Sequence, residues 1–133
     1  MDSASGQALA PASLSKIGQI ALTVTDLDRA IAFYRDSLGM KFLFQVPNLG
    51  FFDCGGVRVM LTGSEKPVQT DGYAIYFKVP EIRLARGELG KRGVVFEGEP
   101  HLVARMPDHD LWMAFFRDPD RNLLALMSEE ARG

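Results

Sequence analysis

From Ile17 onward, apolar and polar residues follow a readable rhythm. Ile20, Leu22 and Val24 alternate with Gln19, Ala21 and Thr23, the two-residue period of a strand with one covered face. The period then becomes helical. Leu27, Ala30, Ile31, Tyr34 and Leu38 form an apolar stripe, capped by Thr25 or Asp26, with Asp28 in the first turn and Gly39 at the stop. Met40 to Val46 predicts a second strand, broken at Pro47. Leu49 to Asp53 and Val57 to Thr62 predict two more, joined by the hairpin signal Gly55-Gly56.

The same order then recurs. Tyr73 to Val79 predicts a strand, and Pro80 suits the first turn of a helix whose shorter stripe is Ile82, Ala85 and Leu89, weakened by Gly87. Val94 to Phe96, extended past Pro100 by His101 to Arg105, then Leu111 to Arg117 and Asn122 to Met127 supply the later strands. Gly39-Met40-Lys41-Phe42 matches Gly93-Val94-Val95-Phe96, and Val59-Met60-Leu61 matches Leu124-Ala125-Leu126. Such a repeat implies two units, each burying its apolar face beside the other. Thr62 to Asp71 is the linker between modules at about 16–62 and 72–128 within one domain, 16–133. Residues 1–15, rich in Ala and Ser, read as a flexible arm; they carry neither a basic start nor the apolar run of a secretory signal.

Composition narrows the function classes. Of 133 residues, 15 are Lys or Arg and 17 Asp or Glu, a net charge of −2 that leaves no footprint for nucleic acid or an anionic membrane. No stretch reaches the roughly 18 apolar residues of a membrane span. The single cysteine, Cys54, forbids an internal disulfide and fits a reducing cytoplasm. Its neighbour Asp53 disfavours a thiolate nucleophile.

Two segments carry a family resemblance: Val24-Thr25-Asp26-Leu27-Asp28-Arg29-Ala30-Ile31-Ala32-Phe33-Tyr34-Arg35-Asp36-Ser37-Leu38-Gly39, and Phe116-Arg117-Asp118-Pro119-Asp120-Arg121-Asn122. The chain resembles, over about residues 16 to 128, the vicinal oxygen chelate superfamily of glyoxalases, extradiol dioxygenases and bleomycin-resistance proteins. The resemblance implies an α+β fold of two paired βαβββ modules, a curled mixed sheet around a cup with helices on the convex face. Arg121 departs from the Gly usual after the Asp-Pro-Asp turn, at modest cost if its φ is positive.

Metal-using members hold a divalent ion through four inward side chains, usually His, Glu or Gln. Those positions fall here on Gln19, Met60, Ala74 and Ala125. One neutral amide and one soft thioether do not make a divalent site, so neither metal nor other cofactor is expected. By alternation, Ala21, Thr23, Arg58, Thr62, Tyr76, Lys78, Leu123 and Met127 share the inward face. That mixed wall suits a small organic ligand, which Gln19, Arg58, Met60, Tyr76, His101 and Trp112 are the candidates to bind. Gln19 can orient a carbonyl or amide, or merely bond a neighbouring strand. Arg58 can clamp an anion, or pair with Asp53 or Glu65. His101 is a rim acid or base, or a structural residue; His109, in Pro107-Asp108-His109-Asp110, reads as an exposed turn. Trp112 and Tyr76 can stack a planar ligand, or serve the core or an interface. One ring of each pair Phe51-Phe52 and Phe115-Phe116 is core, and the other is cup wall or interface.

Three functions compete on this reading. The first is a metal-free small-molecule binder. The second is a family enzyme (lyase, isomerase or dioxygenase) working without metal or with displaced ligands, and the third is an interaction module with a vestigial cup. A homodimer is expected, because paired modules combine within one chain or across a two-fold axis and open strand edges need cover.

Overall fold

The computed structural model describes residues 15–66 and 74–132. The expected arm, apart from Ser15, and the linker from residue 67 to its end lie outside the described residues, as does Tyr73.

The first module comprises β1 (Gln19–Val24), α1 (Leu27–Ala32), β2 (Lys41–Val46), β3 (Leu49–Cys54) and β4 (Val57–Gly63). The second repeats the order with β5 (Ile75–Lys78), α2 (Ile82–Lys91), β6 (His101–Arg105), β7 (His109–Arg117) and β8 (Leu123–Ala131). The sheets run β1-β4-β3-β2 and β5-β8-β7-β6. In each, the first and last strands pair parallel and the others antiparallel. The chain is an α+β protein of two βαβββ modules, and no strand pairing joins the two sheets among the described residues.

Local chemistry sets the boundaries. Asp26 accepts from the Arg29 N–H at 3.1 Å and caps α1. The helix continues through a widened π-helical turn, Phe33–Ser37, where the Leu38 N–H reaches the Phe33 carbonyl. Gly39, at φ 73°, ends it. Gly55 and Gly56, at φ 60° and 93°, make the tight β3–β4 turn. One expected strand is corrected: Val94–Phe96 contributes only a single bridge, Phe96 to Phe116, and β6 begins at His101. Gly93 and Gly98, both at positive φ, and then Pro100 turn the chain out of line.

The helix-covered faces of both sheets share one core. Val24, Tyr34, Phe52, Leu61, Ile82, Phe116 and Leu124 are fully buried in it. A polar joint closes the seam between modules. The Tyr34 hydroxyl donates to Asp118 Oδ2 at 2.8 Å, and Asp118 also accepts from the Asp120 and Asn122 N–H groups and the Asn122 amide. Asn122 donates in turn to the Thr23 carbonyl. Burial, with the Asp118 charge beside it, pushes the Tyr34 phenol well above its ordinary pKa.

Candidate functional site

The opposite faces of the two sheets are open, and each gathers candidate residues by register. On the first sheet, Gln19 pairs with Arg58, and Phe51 and Met60 lie across from each other. The Arg58 Nε donates to Gln19 Oε1 at 3.0 Å, and its guanidinium lies 5.7 Å from the Phe51 ring centre. Gln19 Nε2 lies 3.8 Å from the Met60 sulfur. Phe44, brought onto this face by a bulge after Phe42, stacks on Phe51 at 4.7 Å. The result is a polar pair, Gln19 and Arg58, set against an apolar shelf.

The second sheet's open face is aromatic. Tyr76 pairs with Ala125, and Ala125 with Phe115. Because Ala125 carries only a methyl, the Tyr76 and Phe115 rings meet edge to face at 6.2 Å, and Ala125 is 0% exposed. The His101 ring lies nearly parallel to Phe115 at 6.0 Å. Its Nδ1 faces the Glu99 carbonyl at 3.3 Å, which favours a proton on Nδ1 and leaves Nε2 as an acceptor. Farther along lies a charged cluster. Lys78 meets Glu129 at 3.0 Å and holds its carboxyl below the usual range, while His109 does the same to Asp108 at 2.7 Å.

Candidate by candidate, the structure brings Gln19, Arg58 and Met60 together, and brings Tyr76 and His101 to opposite sides of Phe115. Trp112 is apart from both groups. It lies on the helix-covered face, packed against the core, with the Arg83 guanidinium of α2 4.6 Å from its ring centre. Strand alternation explains this: Phe115, three residues on, faces the other way. Phe51, Phe115 and Phe44 are open-face residues that the sequence leaves undecided or does not single out. The cross-strand partner Ala125 was the signal for Phe115, whereas Phe44 owes its place to the bulge.

The four positions expected to match the superfamily's metal ligands carry a donor set that does not suit a divalent ion. Gln19 is engaged by Arg58 and Met60, Ala74 offers no donor, and Ala125 is buried beside two rings. No group of three His, Cys, Asp or Glu placed to hold a metal occurs among the described residues. His101 and His109 stand four register positions apart along β7, roughly 13 Å at strand spacing.

Comparison with known proteins agrees with this architecture. The family model described as Glyoxalase/Bleomycin resistance protein/Dioxygenase superfamily matches residues 16–126. An uncharacterised protein of Bacillus subtilis, YraH, is 30% identical over 129 residues, covering 84% of this chain and 96% of that protein. Among solved structures, a lactoylglutathione lyase from Agrobacterium tumefaciens superposes with a TM-score of 0.69 at 24% identity, over 87% of this chain and 95% of that one. A glyoxalase/bleomycin resistance protein/dioxygenase from Nocardioides gives 0.74 at 19% identity, over 96% and 91%. No helix of the described residues is long and apolar enough to cross a membrane.

Proposed function

This chain belongs to the glyoxalase/bleomycin resistance protein/dioxygenase superfamily, and from that premise we propose that it binds a small, planar, neutral or anionic organic molecule without a divalent metal. The observation that supports the reading is a Gln19–Arg58 pair on one open face and a Tyr76–Phe115–His101 aromatic set on the other. Rings supply stacking area and Arg58 a planar donor fork, the mixture that small-molecule sites use.

The partner completing the site is a second copy of the chain. The helix-covered faces are already buried against each other, while Phe44 and Tyr76 on the open faces are each 46% exposed. Two copies in two-fold symmetry can close one chain's first face over the other's second. A protein working in the cytoplasm accords with the lone, unpaired cysteine.

Four measurements test this reading. Metal analysis of the purified protein should find no stoichiometric divalent ion, and one that survives dialysis overturns it. Sedimentation should give twice the 14.7 kDa chain mass. A thermal-shift screen of aromatic acids and amides should raise Tm, by about 2.7 kcal/mol of added stability at 100 times the Kd. Arg58→Met should weaken acids more than their neutral analogues, and equal loss for both removes the assigned role of Arg58.

A second reading, a metal-independent enzyme, is favoured by one observation: His101 Nδ1 faces the Glu99 carbonyl, and its Nε2 makes no hydrogen bond among the described residues. Turnover of a bound ligand, abolished by His101→Gln with binding retained, would select it.

A further inference from the structure

The seam between the modules holds a second space, unrelated to the open faces. A cavity of about 430 Å³ lies on the helix-covered side, where the end of α1 and the β3–β4 turn meet α2 and β5. Met40 and Cys54 of the first module and Phe77, Leu89, Phe116 and Leu126 of the second line it, so its wall is predominantly apolar. The size falls within the range of small-molecule sites, and a junction of two units is a usual place for one.

Its mouth carries a tethered cation. Arg92, at the C-terminal end of α2, reaches the Ser37 carbonyl at 3.5 Å across the seam, and its guanidinium lies against Gly39. A Cβ at Gly39 would come within 3.2 Å of that guanidinium, so the glycine leaves the room it occupies. The 3.5 Å contact is long and spends one donor of five. No carboxylate pairs with Arg92 among the described residues. Glu88, one turn earlier on α2, is exposed and makes no side-chain hydrogen bond among them. Lys41 and Asp53, also at the rim, are cross-strand partners of opposite charge.

We infer that this cavity is a second ligand site, taking a compact apolar molecule with one carboxylate: the hydrocarbon enters between Phe77, Leu89 and Leu126, and the carboxylate meets the free edge of Arg92. The site requires both modules of one chain and none of the open-face residues, so it stands or falls independently of the function proposed above.

Cys54 is the only cysteine of the chain and lines the cavity, which makes it a built-in reporter. The test follows its alkylation by N-ethylmaleimide at fixed pH in the full-length protein, with decanoate or decanol added below their aggregation limits. Decanoate should slow labelling saturably, by about fivefold, because an occupied cavity shields a partly buried thiol. Decanol should need about tenfold more, lacking the charge-assisted bond. Arg92→Met should erase that difference, whereas Arg58→Met should leave it intact. The inference is overturned if decanoate gives no saturable protection, if decanol protects equally well, or if protection is lost with Arg58 instead of Arg92.

Discussion

Each sheet of this protein has two faces with opposite fates. On the helix-covered side, the seam cavity apart, the chain finishes its own work: side chains such as Phe52 and Phe116 are fully buried, and the buried Asp118 carboxylate has a donor on both oxygens. On the open side large groups remain half in water, among them Tyr76, Phe44, Arg58 and Lys78. Rings at that exposure contribute little to monomer stability, so their packing into ordered groups is explained better by what they meet than by what they hold up. The contrast separates residues that make the fold from residues free to make a site.

The sharpest way to break that contrast is Asp118→Ala. It strands the Tyr34 hydroxyl and the backbone N–H groups of Asp120 and Asn122 in the seam, and should cost about 3–5 kcal/mol, a loss visible in urea melts. A change below about 1 kcal/mol would mean the joint does not bind the modules together.

Tyr34→Phe removes only the hydroxyl and should cost about 1–2 kcal/mol at neutral pH. Its pH dependence is the finer probe. The folded pKa of Tyr34 lies above its unfolded value, so the native state keeps a proton that the unfolded chain releases. The stability this adds is complete below about pH 10, the unfolded value, and falls as pH rises toward the folded pKa. The gap between wild type and Tyr34→Phe should therefore narrow above pH 10. A gap that widens there contradicts the buried phenol–carboxylate bond.

On the open side, Tyr76→Ser removes an edge-to-face partner of Phe115 and should cost the isolated chain about 1 kcal/mol or less. If a second copy covers this face, the loss in Tm grows with protein concentration, since association adds to apparent stability by mass action. A concentration-independent loss would argue that the open face stays uncovered.

Much of this division is legible in the sequence, for physical reasons that differ by residue. The repeat, the Asp26 cap and the Gly55-Gly56 turn are local, so period and propensity reveal them. The phase of Gln19 follows from alternation along its strand, and that of Met60 and Ala125 is what the family resemblance implies. Ring chemistry alone puts Trp112 among the open-face candidates, whereas the structure, with Phe115 on the open face, places Trp112 under α2. Phe44 could not be placed by counting, since the bulge after Phe42 shifts the phase without a Gly or Pro to mark it. The Tyr34–Asp118 bond spans 84 residues and has no local signature at all. Long-range polar joints and cavities between modules depend on how two finished pieces meet.

The smallest expected effect lies in the turn that supports the joint. Arg121 sits at φ 72°, a left-handed conformation that most side chains avoid. Its side chain contributes one exposed contact, 3.7 Å to Glu97, of a kind that adds little. The Arg117 bond to this turn uses the Arg121 backbone carbonyl and survives substitution. Arg121→Gly relieves the strain but gives the unfolded chain more freedom, and the two terms largely offset. The net expectation is a gain of about 0.5 kcal/mol, raising Tm by a degree or two without altering the open faces. A lower Tm would show that Arg121 holds the joint through Glu97, and would move that residue from the strained side of the ledger to the stabilising one.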